Sequence, residues 1–147
     1  MVLMNRQILL ALAVMVIVLM AIGMYEGLKY KTEIYVNNLG DSQTNGLYTL
    51  KVDVIINYGP FGGKSPLASA VIWVYKYNGS TYSFYTYNFT DGNGIATFNL
   101  PPGQYKILVT QLHLTYTINL NQNKEIIIEY AYLNSWWGIR EYSWQMM

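Results

Sequence analysis

The chain has 147 residues, of which 52% are hydrophobic and only 12% charged, and its net charge is +1. That length accommodates one domain and a short appendage, and the charged share is about half that of an average soluble protein. No basic run follows the first helix, which excludes an electrostatic footprint for nucleic acid, and the lack of cysteine excludes disulfides, thiolate chemistry and cysteine-bound metals.

The first predicted element is a helix. From Ile8 to Met24 the chain reads ILLALAVMVIVLMAIGM, without charge or proline and with Arg6 ahead of it. As a helix this run spans roughly 25 Å, the short end of what a bilayer core requires. Residues 8–25 are therefore read as a transmembrane signal-anchor, with Ile8, Leu12, Met15, Leu19 and Ile22 among its anchoring side chains. Residues 1–7 form a cytoplasmic N-terminus, because Arg6 precedes the run while Glu26, Lys29, Lys31 and Glu33 balance one another after it. Two other readings stay open. Ala21-Ile22-Gly23 has the small-x-small form of a signal-peptidase site, and cleavage near Gly23 would release a secreted protein. The run also resembles the assembly helix of archaeal pilins, although Arg6-Gln7-Ile8 lacks the small residue usual at such processing sites.

Residues 26–46 are expected to hold a linker and a short strand at Thr32 to Val36, and 47–133 a β-sandwich core. The fifteen tyrosines outnumber phenylalanine and tryptophan together, and they are interspersed with valine, isoleucine and threonine, residues that suit a pleated sheet. Tyr48 to Tyr58 alternates with period two: Tyr48, Leu50, Val52, Val54, Ile56 and Tyr58 share one face. Gly59 to Pro66 reads as a loop, and Ala70 to Tyr75 as the next strand. Asn78-Gly79 predicts a two-residue type I′ turn into an aromatic strand from Thr81 to Asn88. Asp91-Gly92-Asn93-Gly94 reverses the chain into Ile95 to Leu100, and Pro101-Pro102-Gly103 reverses it again into Gln104 to Thr110. Strands at Leu112 to Leu120 and Glu125 to Tyr132 complete seven or eight. The predicted fold is all-β, an antiparallel immunoglobulin- or transthyretin-like sandwich behind one transmembrane helix, with a small closed barrel as the alternative.

Three blocks within Ser65 to Ile128 stand in a telling order: Pro66-Leu67-Ala68-Ser69-Ala70 with a β-run, Thr90-Asp91-Gly92-Asn93-Gly94 with an Ala-Thr-Phe strand, and Leu100-Pro101-Pro102-Gly103-Gln104-Tyr105. The segment resembles the carboxypeptidase regulatory-like group of transthyretin-type sandwiches, close to the Cna B-type repeats of surface proteins. The resemblance implies a scaffold or binding surface without its own active site. Some Cna B-type members form a lysine–asparagine isopeptide bond beside a buried carboxylate; here Lys51 and Asp53 lie on a polar strand face, so none is expected.

The only histidine, His113, is expected on the outward face of its strand, and neither a nucleophile elbow nor a phosphate loop is present. Asp91 to Gly94 is read as a turn, since the remaining ligands of a calcium loop are missing. The expectation is a non-enzyme with no cofactor and no metal. Asn78-Gly79-Ser80 and Asn88-Phe89-Thr90 are N-glycosylation sequons, at Asn78 and Asn88. The tail, 134–147, carries three of the four tryptophans. Its Trp136, Trp137, Arg140, Tyr142 and Trp144 are residue types that anchor protein contacts, while the plainer reading packs them over the end of the sandwich.

These features point first to a structural or accessory subunit of a surface assembly or membrane complex, whose partners are the membrane and other protein subunits or copies of itself. A pilin-like filament or virion envelope subunit is the second reading. A secreted adhesive module that binds glycans through Tyr85 or Trp73 is the third.

Overall fold

The computed structural model describes residues 5–133. Helix α1 runs from Arg6 to Lys29, and Asn5 caps it, its carbonyl accepting from Ile8 and Leu9 and its side chain from Gln7. Its 24 residues extend about 36 Å, beyond the ~30 Å of a hydrocarbon core. Ile8, Leu12, Met15, Leu19 and Ile22 are all exposed, and from Arg6 to Tyr25 none of the helix is buried against the protein. From Ile8 to Met24 the helix is apolar around its whole circumference, and among the described residues that surface has no internal partner.

Nine strands follow among the described residues: β1 (Glu33–Gly40), β2 (Tyr48–Asn57), β3 (Lys64–Pro66), β4 (Val71–Tyr77), β5 (Tyr82–Phe89), β6 (Ile95–Leu100), β7 (Gly103–Val109), β8 (Leu114–Leu120) and β9 (Asn123–Ala131). They form two sheets. The first runs β1-β9-β2, with β6 and β3 occupying successive stretches of the free edge of β2. The second runs β5-β4-β7-β8. Every pairing is antiparallel except β2 with β9.

The alternation read in β2 is realised: Leu50, Val52, Val54 and Ile56 are buried. Leu50, Val52 and Val54 meet Ile72 and Val74 of β4 and Ile107 and Val109 of β7 in one core that also holds Phe98, Leu100, Tyr105, Ile126 and Ile128. Each such side chain contributes about 1.5–3 kcal/mol by leaving water. The arrangement is sandwich-like.

The structure corrects four local expectations. The stretch read as a loop contains β3, whose three residues lie against Ile55 to Asn57. The strand expected from Leu112 begins at Leu114, because Thr110–Leu112 form a 3₁₀ turn that His113 ends in a left-handed conformation. The hairpin turn is centred one residue later than expected. Asn78 keeps a negative φ, and Gly79, at φ +101°, supplies the positive one. A two-residue turn with glycine first needs only that one positive φ, and the Asn78 side-chain oxygen adds an Asx-type closure by accepting from the Ser80 and Thr81 N–H groups at 3.0 and 2.9 Å. Finally, β1 reaches Gly40, since it pairs with almost the whole of β9.

Two polar devices hold the crossings between sheets. The buried Thr90 hydroxyl donates to the Leu67 carbonyl at 2.6 Å and accepts from the Ala70 N–H at 2.8 Å, which ties the end of β5 to the segment joining β3 and β4. Tyr105, fully buried, donates its hydroxyl to the Pro101 carbonyl across the Pro101-Pro102-Gly103 corner, much as a tyrosine corner does.

The registers also define two ends. β1 starts, and β2 and β9 finish, at the end where α1 joins. There the Tyr30 hydroxyl donates to the Asn57 carbonyl and accepts from the Leu133 N–H at 2.9 Å, and Thr32 accepts from the Ala131 N–H at 3.1 Å. The hairpin at Gly79-Ser80 lies at the opposite end, because β4 runs away from the α1 end.

Candidate functional site

The outer faces of the two sheets differ in kind. On the first sheet, Lys51 and Asp53 of β2 are in register with Glu125 and Ile127 of β9 and with Thr97 and Ile95 of β6, and Glu129 pairs with Lys64 at 3.1 Å. This is an ordinary solvated face. One group on it is unfavourably placed. Partial burial, then the charges of Glu125 and Asp91, raise the Asp53 carboxyl above its usual pKa. The folded state therefore holds that proton more tightly than the unfolded chain. Its contribution to stability is complete below the unfolded value of 3.8 and is lost as pH rises through the higher folded value. Asp53→Asn should accordingly raise the melting temperature at neutral pH relative to the native protein while leaving it little changed near pH 3, so that the gain grows as pH rises, as thermal unfolding across pH 3 to 7 would show.

The outer face of the second sheet is aromatic. Trp73 pairs with Tyr87, Tyr75 with Phe84, Tyr77 with Tyr82 and Val71 with Phe89 across β4 and β5. On the next strand Leu108 and Lys106 lie opposite Trp73 and Tyr75. Alternation alone would not bring Phe84 and Tyr87 to one face, since they are three residues apart. A β-bulge between Val74 and Tyr75 of the partner strand leaves Tyr85 as the extra residue, so Tyr82, Phe84, Tyr87 and Phe89 all point outward.

Trp73, Phe84, Tyr87 and Phe89 are between 40 and 56% exposed. At about half of ~200 Å² each, these four rings present on the order of 400 Å² of aromatic surface, as much as the largest patch of a typical monomer. The rings are packed against each other edge to face. Trp73 and Phe84 cross at 81°, Tyr75 and Phe84 at 83°, and Tyr87 and Phe89 at 82°. The Lys106 ammonium lies 5.2 Å from the Tyr75 ring and 5.0 Å from that of Tyr82, a cation–π arrangement that places positive charge inside the patch.

The structure separates the two aromatic residues singled out from the sequence. Trp73 lies at the centre of the patch, whereas the bulge sends Tyr85 to the other side of β5, near Tyr105 and the Lys76 ammonium. Phe84, Tyr87, Phe89, Tyr75 and Lys106 were not read as a unit. The aromatic density of β5 was the available signal, but the extra residue that aligns it leaves no mark in a period of two.

Asn78 is exposed at the hairpin tip. Asn88 is exposed too, but its amide donates to the Thr97 carbonyl at 3.0 Å, so a glycan there would grow from the seam between β5 and β6. Trp136, Trp137, Arg140, Tyr142 and Trp144 lie outside the described residues. His113 is exposed, and among the described residues no group of three or more His, Cys, Asp or Glu side chains is placed to hold a metal.

In comparisons with known proteins, no family model matches the chain and no curated relative matches it. The aromatic face and the exposed apolar helix are thus the features from which a function has to be argued.

Proposed function

We propose that this is a membrane-anchored extracytoplasmic protein whose sandwich serves as a structural or accessory subunit of a surface assembly, docking on a protein partner through the face centred on Trp73, Phe84 and Tyr87. The single observation that carries the reading is the contrast between the two outer sheet faces, one charged and one aromatic. A sandwich whose two outer faces met only water would be polar on both. α1 supplies the anchor, since its apolar surface meets no other part of the described protein. Arg6 before it and balanced charge after it orient the sandwich outward. Cleavage near Gly23 would instead give a secreted form of the same domain.

A protein partner suits the patch better than a glycan. Sugars stack on ring faces, and neighbouring rings crossed at 81 to 83° cannot offer one continuous coplanar platform. Irregular aromatic relief with an embedded lysine suits the interlocking core of a protein interface. The likeness of Ser65 to Ile128 to carboxypeptidase regulatory-like domains belongs to the same proposal, as does the immunoglobulin- or transthyretin-like type of the sandwich.

The test uses the full chain extracted from its own membranes. The double substitution Phe84→Glu, Tyr87→Glu should shift the protein from a larger assembly to the size of the lone chain on native electrophoresis. Unfolding should change by about 1 kcal/mol at most, because both side chains are exposed. An assembly that survives both charges would refute the docking face, and electron microscopy of the same material would reveal whether the assembly is a filament.

A further inference from the structure

We infer that the α1 end of the sandwich is itself a membrane-contact surface, with Phe61 as its inserting side chain, and that it rests on the headgroup region of the bilayer holding α1. The inference deepens the anchored reading above and depends on it.

The argument begins with where the chain leaves the helix. Tyr30, the residue after α1, is hydrogen-bonded to the Asn57 carbonyl and the Leu133 N–H. The helix exit, the end of β2 and the end of β9 therefore converge at one point. Phe61 is only four residues beyond Asn57, at most about 14 Å of extended chain. A sandwich fastened this closely to the end of a spanning helix has this end near the membrane surface, whatever its tilt.

The residues there suit that position. Phe61 is fully exposed, and Tyr58, Tyr132 and Leu133 are each between 41 and 50% exposed. The Tyr58 and Tyr132 rings lie 5.3 Å apart. Tyrosine is enriched at the headgroup level, where its ring and hydroxyl find an apolar and a wet neighbour. Lys64, paired with Glu129 at the margin of this group, has the flexible stem that lets lysine reach headgroups.

Phe61 is also held outward by a closed loop. The Tyr58 N–H donates to the Gly63 carbonyl at 2.9 Å, the Gly62 N–H to the Gly59 carbonyl at 3.2 Å, and the Gly59 N–H to the Asn57 side chain at 3.0 Å. Pro60 fixes one more dihedral angle. The backbone is so tight at Gly62 that an added Cβ would stand 2.5 Å from the Tyr58 Cβ. Such a loop orders its tip at an entropic cost, and the phenylalanine presented there recovers none of it in water. The tip of the opposite end, Gly79-Ser80, bears no apolar side chain.

The chain contains no cysteine, so single-thiol variants of the full-length protein report one site each. Phe61→Cys, Ser80→Cys and Val16→Cys are spin-labelled and reconstituted in phosphatidylcholine vesicles, and their access to oxygen and to a charged water-soluble relaxant is compared. The label at position 61 should be roughly tenfold less accessible to the charged relaxant than that at 80, because charge is excluded from an apolar layer, and should remain accessible to oxygen. If position 61 is as open to the relaxant as position 80 while position 16 reads lipid, the docked end is refuted and the anchor stands. Shielding of position 61 from both agents would mean protein cover and would equally overturn the inference. Relaxant access at position 16 would remove the anchor and the inference together.

Discussion

Gly94→Ala should be among the most damaging single-methyl changes in this protein, costing about 3 kcal/mol and lowering the melting temperature by about 15 °C. Gly94 sits in the gap where the edge of β2 passes from β6 to β3. Its carbonyl accepts from the Val54 N–H at 2.9 Å, and the Val54 carbonyl in turn accepts from Leu67 at 3.0 Å. An added Cβ would stand 2.6 Å from the Val54 oxygen, 3.0 Å from the Pro66 Cβ and 3.1 Å from the Leu67 nitrogen. None of these is the far end of a flexible side chain, so the two short strands would have to separate. The backbone at φ +80° adds the penalty any side chain meets in the left-handed region. Gly92→Ala is the control, since a Cβ there meets nothing within 4 Å. Thermal unfolding of the two variants side by side decides the matter: equal melting points would mean that the β3–β6 junction yields freely.

The same turn shows how far the sequence could be read. Asp91 as a turn cap is legible because the chemistry is local, and its carboxylate does accept from the Asn93 and Ile95 N–H groups at 2.9 and 3.0 Å. β2 is legible because one face is buried along its length, which enforces alternation over ten residues. The apolar helix is legible because the run from Ile8 to Met24 is uncharged and apolar throughout. What escapes reading is decided by distant chain. Lys64–Pro66 has too few residues to show a period and becomes β3 only because β6 leaves the last residues of β2 unpaired. The parallel β2–β9 pair joins residues more than seventy positions apart, which no local pattern encodes. Half of the candidate site was visible as aromatic richness in β4 and β5. The other half, the common orientation of Tyr82, Phe84, Tyr87 and Phe89, depends on the bulge at Tyr85, and a strict period of two assigns those residues to opposite faces.

These features give the sandwich a direction on each of its axes. One sheet face is solvated and the other aromatic, while one end is joined to α1 and carries Phe61 and the other ends in the polar hairpin Gly79-Ser80. Were the α1 end to rest on a membrane, as inferred above, the aromatic face would stand roughly upright from it and be presented sideways. A partner held in the same membrane would approach that face by lateral diffusion, an encounter that anchoring favours by raising the effective concentration.

Tyr105→Ala should cost about 4 kcal/mol, enough to leave the domain partly unfolded at physiological temperature. The ring is fully buried among the core residues, and the hydroxyl closes the corner through which the chain passes from β6 in one sheet to β7 in the other. Tyr105→Phe separates the two contributions, because it keeps the ring and leaves the Pro101 carbonyl without this donor, at a cost of about 1–2 kcal/mol. The hydroxyl also gives the protein an alkaline limit. Burial, followed by the nearby Tyr85, pushes the Tyr105 phenol up to about 12 from an unfolded value of 10.0. The folded state thus binds this proton more tightly than the unfolded chain. The resulting stability is complete below pH 10 and is lost as the pH rises towards about 12. The difference in unfolding free energy between the native protein and Tyr105→Phe should therefore be constant from pH 6 to 9 and shrink above pH 10, as denaturant titrations at a series of alkaline pH values would show. A difference that persists unchanged through pH 12 would mean that the hydroxyl proton is held no more tightly in the folded protein than in the unfolded chain.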